Sequence, residues 1–198
     1  MAVRTRSYGA TADAETLLDG RLVAIGTWLF LAAQIFFFAG FWFAFFYLRA
    51  LNSNQAWRAQ GVGPPSKGYG AVVVILAILT AATYFVGSRQ PTRAVLFRLL
   101  TPVALIFAIA TCVFQGYEMW HLGFGLTQGA YPSVFSGMTT AWLLQFVGTT
   151  AWLASIVTQT GPAGDTIVRR QPAASFAWVL VFLAAIGVVN YILLYLVA

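Results

Sequence analysis

The sequence predicts an all-α membrane protein, a bundle of five transmembrane helices, and three observations support this fold class. Hydrophobic residues make up 60% of the 198-residue chain and charged residues only 8%, whereas soluble domains are about a quarter charged. The apolar residues are concentrated in five runs of the length that crosses a bilayer as a helix, about 20 residues. Basic residues fall at the ends of these runs, so the net charge of +6 indicates membrane topology and not nucleic-acid binding.

The first run follows a polar tail, residues 1–20, which lacks the apolar stretch and cleavage site of a secretory signal. We expect this tail to be cytoplasmic and largely unstructured. The run itself, about residues 22–48, contains no charge and is too long for a signal core. It is therefore expected to span the membrane.

Four further spans are expected at about residues 69–87, 99–115, 134–158 and 175–197, each bounded by Gly, Pro or Arg. The third is the shortest, and Pro102 is expected in its first turn, where proline costs little. Helices are expected because hydrocarbon offers the backbone no outside partners, and the runs are longer than barrel strands of about ten residues. Residues 21–198 are thus predicted to form one helical domain.

The basic residues also predict the orientation of the bundle, because they are more frequent in cytoplasmic connections. If the spans alternate, eight basic residues lie on the N-terminal side and three on the other. The eight are Arg4, Arg6, Arg21, Arg89, Arg93, Arg98, Arg169 and Arg170, and the three are Arg49, Arg58 and Lys67. This excess predicts a cytoplasmic N-terminus and an extracytoplasmic C-terminus.

The chain has few residues that could hold a metal. His121 is its only histidine and Cys112 its only cysteine, whereas a bis-histidine heme needs two imidazoles and a thiolate-bridged copper pair needs two cysteines. The spans also lack paired carboxylates for a proton relay. We therefore expect no catalytic, cofactor-binding or metal-binding residue on this chain.

Four polar residues within or near the spans are candidates for structural or partner contacts. Gln34 and Gln145 each lie on a helix face that carries small residues, which favours close helix packing over a substrate path. Gln115 and Glu118 share a face at the outer end of the third span, and Glu118 is the only acidic residue between positions 19 and 165. Glu118 is the best functional candidate, although a carboxylate at a membrane boundary can simply accept structural hydrogen bonds.

Three segments resemble cytochrome c oxidase subunit III in its short, five-helix form. The Phe-rich stretch from Gly26 to Arg49 resembles the first conserved helix of that family. Gln115-Gly-Tyr-Glu118 resembles its Gln-x-x-Glu at a helix end, and Tyr131-Pro-Ser-Val-Phe135 resembles the aromatic-Gly-Ser-x-Phe that opens its next helix. The order of the remaining spans also agrees.

The departures from the family pattern limit what can be transferred. Gln34 stands where the family usually has a buried glutamate, the Gly-x-His-x-x-His motif is absent from residues 138–148, and of the Trp-His-Phe-x-Asp pattern only Trp178 remains. No proton-collecting role of those family residues can therefore be carried over to this chain.

The resemblance implies an accessory, non-catalytic subunit of a respiratory heme-copper oxidase in a bacterial-type cytoplasmic membrane. Its main partner would be subunit I, with other oxidase subunits nearby, and heme and copper would be in the partner catalytic subunits. Bound phospholipid is also expected, with Arg21, Trp28 and Arg49 placed to meet lipid headgroups. Two alternatives remain: a subunit III-like protein of a nitric oxide reductase, and a self-contained small transporter or channel.

Overall fold

The computed structural model describes residues 4–51, 57–58, 62–63, 65–89, 94–125, 128–159 and 170–197. It contains helices α1 (Arg4–Ala50), α2 (Lys67–Arg89), α3 (Ala94–Trp120), α4 (Ala130–Gln159) and α5 (Arg170–Tyr191), and α5 continues into a π-helical segment (Ile192–Val197). Each helix contains a stretch long and apolar enough to cross a membrane. The predicted all-α fold with five membrane-spanning helices is therefore confirmed.

The N-terminal tail is where the fold differs most from expectation. We expected residues 1–20 to be largely unstructured, but α1 begins at Arg4 and runs without interruption for 47 residues. Residues 4–20 contain no proline and include good helix formers such as Ala, Leu and Glu. Since extending an existing helix avoids the cost of nucleation, the membrane span can propagate its backbone hydrogen bonds into this segment.

The third span also differs from expectation. α3 begins at Ala94, eight residues before Pro102, so the proline lies within the helix and not in its first turn. Proline removes one backbone hydrogen bond at such a position. Membrane helices tolerate this where neighbouring helices and hydroxyl side chains satisfy the freed groups.

The helices pack as a closed ring in which α5 is the most enclosed member. α5 packs against α1, α2 and α4, while α3 completes the ring by contacting α2 and α4. In its membrane stretch 56% of α5 is buried, against 11% for α1. Among the described helices α1 packs mainly against α4 and α5, so most of the surface of its membrane stretch is open to lipid or to another protein.

The buried side of α1 is a narrow seam. Leu31, Phe38 and Phe45 recur every seven residues and are buried, which places them on one face of the helix. Phe36, two positions from fully buried Phe38, is 79% exposed. α1 is therefore anchored along a single stripe.

The ends of the bundle can be named by the charged residues they hold. Tyr69 of α2 stacks on Tyr117 of α3 at one end, which we call the Glu118 end. At the other, the Arg89 end, Trp178 of α5 meets Trp28 of α1 and Phe85 of α2. Consecutive helices run in alternating directions, so the start of α5 lies beside the end of α2.

Candidate functional site

The π-helical segment of α5 shapes the Glu118 end. Leu193, Leu194 and Tyr195 of this segment are consecutive and all buried, so the segment is enclosed on more than one face. The Tyr195 hydroxyl donates a hydrogen bond to Glu118 Oε1 at 2.8 Å, and the Tyr131 hydroxyl donates to the Leu194 carbonyl at 2.8 Å. π-Helical turns often occur at functional sites, and here the segment directs a tyrosine at the Glu118 carboxylate.

Glu118 is buried, with 7% of its surface exposed, and both of its oxygens accept a hydrogen bond. Gln115 Nε2 donates to Oε2 at 3.0 Å, and the Tyr195 hydroxyl donates to Oε1. The two residues singled out at this helix end are thus hydrogen-bonded to each other and to α5. This arrangement fastens the end of α3 to the end of α5.

A close backbone approach makes room for Tyr195. A Cβ atom added at Gly70 of α2 would lie 2.7 Å from Tyr195 ring atoms, closer than packed carbon atoms approach. Only glycine at position 70 lets α2 pass directly beside the ring. The position of the Tyr195 hydroxyl on Glu118 therefore depends on α2 as well as on α5.

The loop between α1 and α2 is attached to the same end through Trp57 and Arg58. The Trp57 ring packs edge-on against Phe45 at 5.3 Å, and its carbonyl accepts a hydrogen bond from the Tyr131 backbone. The Arg58 guanidinium lies 4.8 Å from the centre of the Tyr131 ring, within the range of a cation–π contact. The start of α4 is held between this loop and α5.

Gln34 and Gln145 are hydrogen-bonded to each other. Gln145 Nε2 on α4 donates to Gln34 Oε1 on α1 at 2.8 Å, which joins two helices inside the membrane. The pair borders a cleft of about 220 Å³ between α1, α4 and α5, lined by apolar side chains including Phe30, Trp152 and Phe182. Neutral amides cannot exchange a proton as an acid–base couple, so the pair contributes helix pairing and no proton transfer.

Two indole groups provide further polar contacts to α5. Trp42 of α1 donates to Asn190 Oδ1 at 3.0 Å, and Trp142 of α4 donates to the Leu183 carbonyl at 2.8 Å. The sequence analysis predicted neither contact. Periodicity within one helix does not reveal the partner on another.

The remaining candidates lie on the surface. Arg21 and Arg49 are exposed on α1, and Trp28 is 58% exposed with its ring centre 5.8 Å from that of Trp178. The sequence analysis used Arg89 only to predict topology and not as a site residue. Its guanidinium lies 4.5 Å from the centre of the Phe85 ring and 6.0 Å from that of Trp178. The four-residue spacing of Phe85 and Arg89 on one helix was the available signal.

The donor set of the chain does not fit heme or copper. His121 follows the end of α3, and its Nδ1 donates to the Tyr117 carbonyl at 3.0 Å. Cys112 lies nine residues earlier, roughly 13 Å along the helix axis, beside Thr150. Across the part of the chain that the structure describes, no three His, Cys, Asp or Glu side chains come together.

Comparison with known proteins identifies the family. The chain is 30% identical to a probable cytochrome c oxidase subunit 3 of Mycobacterium leprae, over 67% of each chain. The chain belongs to the cytochrome c oxidase subunit III family. Its identity to a probable cytochrome c oxidase subunit 3 of Nocardia farcinica is 27%, and to a cytochrome c oxidase subunit 3 of Corynebacterium diphtheriae 26%, each over 68% of both chains. No protein-family profile matches the chain.

Membership of the subunit III family confirms the resemblance inferred from three sequence segments. The protein is a multi-pass membrane component of a heme-copper oxidase. Two of those segments meet at the Glu118 end. Glu118, which Gln115 bonds, accepts a hydrogen bond from Tyr195, and the Tyr131 hydroxyl bonds the carbonyl of the adjacent Leu194. Two of the three segments that carry the family resemblance thus help to close this end of the bundle.

Glu118→Leu and Glu118→Gln should separate the need for hydrogen bonding from the need for charge. Leucine leaves the Tyr195 hydroxyl and the Gln115 amide without their acceptor, at about 1–3 kcal/mol for each buried group. Glutamine can accept from Tyr195 and donate to a rotated Gln115 amide. We expect a large loss of thermal stability in detergent for leucine and a small loss for glutamine. Equal losses for both variants would contradict this assignment.

Gly70→Ala should displace the Tyr195 ring and weaken its bond to Glu118. Overpacking of this kind costs about 1–3 kcal/mol, so the melting temperature of the purified chain should fall. Gly68→Ala is the matched control, because a Cβ there would meet only the Ser66 hydroxyl at 3.9 Å. A Gly70→Ala protein as stable as the Gly68→Ala protein would show that the ring is not confined as described.

Proposed function

We propose that this subunit III acts by binding: it packs against the heme-bearing subunit I, holds phospholipid in its grooves, and stabilises the active oxidase during turnover. Heme and copper are then carried by the partner catalytic subunits. The observation that supports this most is the open surface along α1 and α4, on a chain whose own donor set does not fit a metal. The other oxidase subunits complete the complex.

The groove between α1 and α4 is the proposed contact with subunit I. It has a volume of about 600 Å³ and is bordered by Phe37 on α1 and by mostly small residues on α4. The α4 residues are Ser133, Ser136, Gly137, Thr140, Ala141, Leu144 and Gln145. Small residues let a second helix approach closely, and close packing is the main attraction between helices in lipid. A transmembrane helix of subunit I is therefore the proposed occupant.

The Arg89 end is the proposed site for a phospholipid headgroup. Arg89 is exposed in the last turn of α2 and is held over Phe85 and Trp178, next to Trp28. Among the described side chains the only carboxylate is that of Glu118, at the opposite end, so no described carboxylate neutralises Arg89. A lipid phosphate would supply the negative charge, and tryptophan is typical of the membrane interface. Arg21 and Arg49 are proposed as further headgroup contacts at the two ends of the membrane stretch of α1, Arg21–Ala50.

The proposed orientation has the Arg89 end in the cytoplasm and the C-terminus outside a bacterial cytoplasmic membrane. The eight-to-three distribution of basic residues supports this orientation. Alkaline phosphatase fused after Ala198 should be active, since the enzyme works only outside the cytoplasm, and a fusion within the loop that follows Arg89 should be inactive. The reverse pattern would overturn the orientation and leave the fold unaffected.

Thr140→Trp should weaken the association with subunit I. Thr140 is exposed in the groove, and an indole there would occupy the space proposed for the partner helix. We expect several-fold less heme to co-purify with the tagged variant, a tenfold loss corresponding to about 1.4 kcal/mol. The absorption spectrum, normalised to the amount of tagged chain, measures this loss.

Ala82→Trp is the matched control, since Ala82 is a small exposed residue of α2, outside the groove. It should leave heme recovery unchanged. Equal recovery with both variants would place subunit I elsewhere on the surface. Recovery of a nitric oxide reductase in place of an oxidase would identify the other candidate complex.

A further inference from the structure

Asn190 carries an unusual buried amide in the middle of the bundle. Only 6% of its surface is exposed, and its Oδ1 accepts the hydrogen bond from Trp42. Its Nδ2 makes no hydrogen bond to any group of the described residues. An amide nitrogen buried in this way normally costs about 1–3 kcal/mol, so a partner beyond the described residues is expected.

A small cavity lies beside this amide. Its volume is about 20 Å³, and side chains of α2, α3, α4 and α5 surround it. A space of about 10–15 Å³ suffices for one water molecule that has two to four polar partners. Asn190, Gln115 and Thr139 all line the cavity, so it is both large enough and polar enough for one water.

The chemistry of the lining favours water over an ion. Thr139 donates its hydroxyl proton to the Phe135 carbonyl at 2.6 Å, which leaves the hydroxyl oxygen free to accept a bond. The Gln115 amide oxygen can also accept, while Asn190 Nδ2 can only donate. One donor and two acceptors match the one accepting and two donating bonds of a water molecule. A metal cation would instead need about six oxygen ligands.

We propose that one water molecule is bound in this cavity, where it accepts a hydrogen bond from Asn190 Nδ2 and donates to Gln115 and Thr139. The water completes a polar connection from Trp42 on α1, through Asn190, to Gln115 and Glu118 on α3. The exposed helix α1 is thereby linked to the buried carboxylate at the Glu118 end. This site is independent of the proposed function, because it requires no partner subunit and no lipid.

An experimental map of the oxidase that resolves ordered water tests the proposal directly. We expect a density peak within hydrogen-bonding distance of Asn190 Nδ2 and the Gln115 side chain. A map that resolves other buried waters of this subunit, but has no peak there, would overturn the proposal. So would a map in which another side chain meets the Asn190 amide.

A double-mutant cycle provides a second test. Val74 lines the cavity, so Val74→Ile adds a methyl group that should displace the water and leave the Asn190 amide unpaired. The melting temperature should therefore fall in the wild-type background, whereas in an Asn190→Leu background, which has no amide to satisfy, the same change should cost far less. Val72→Ile is the control, because Val72 is exposed on the same helix.

The sign of the effect decides between a hydrated and a dry cavity. If Val74→Ile raises the melting temperature, the cavity is dry and the added group simply fills it. If it costs the same in the wild-type and Asn190→Leu backgrounds, the penalty is overpacking and is unrelated to water. Either result contradicts the proposal, and the experimental map remains decisive if Asn190→Leu does not fold.

Discussion

The absence of hydrogen-bonding solvent in the membrane is the constraint on which this structure depends. A polar side chain in a span must find its partner within the bundle or remain unpaired at a cost. Gln34 therefore accepts a hydrogen bond from Gln145, and Glu118 accepts hydrogen bonds from Gln115 and Tyr195. These bonds tie α1 to α4 and α3 to α5, so the polar residues of the spans help to fix which helices are neighbours.

The same constraint connects the fold with the function of a subunit III. The polar side chains of the spans mostly bond to carbonyls of their own helices or to each other. The apolar surface that remains is extensive along α1, whose membrane stretch is only 11% buried. A surface of this kind is suited to contact with a partner helix and lipid tails. This supports the proposed role, in which the chain contributes shape and anchoring to the oxidase; its single histidine and single cysteine lie apart, on α3 and just beyond it.

Much of the fold, but less of the site, could be predicted from the sequence. The length of the apolar runs predicted five helices, and helical spacing placed Gln115 and Glu118 on one face. Tyr195 could not be predicted as their partner, because the π-helical segment changes the helical phase on which such reasoning relies. Gln34 and Gln145 were recognised as packing residues, but their pairing depends on the register between α1 and α4. The spacing of small residues within each helix does not reveal that register. Arg89 was used only to predict topology, although Phe85, four residues earlier on the same helix, could have indicated the cation–π contact.

The most direct test of the account is the absorption spectrum of the oxidase purified from a strain that lacks this chain. If the subunit acts by packing and lipid binding, the remaining core should retain its heme bands, although the purified complex should lose activity faster during sustained turnover. An otherwise complete core that has lost all its heme would contradict the account, because it would mean that this subunit is required to hold the cofactor.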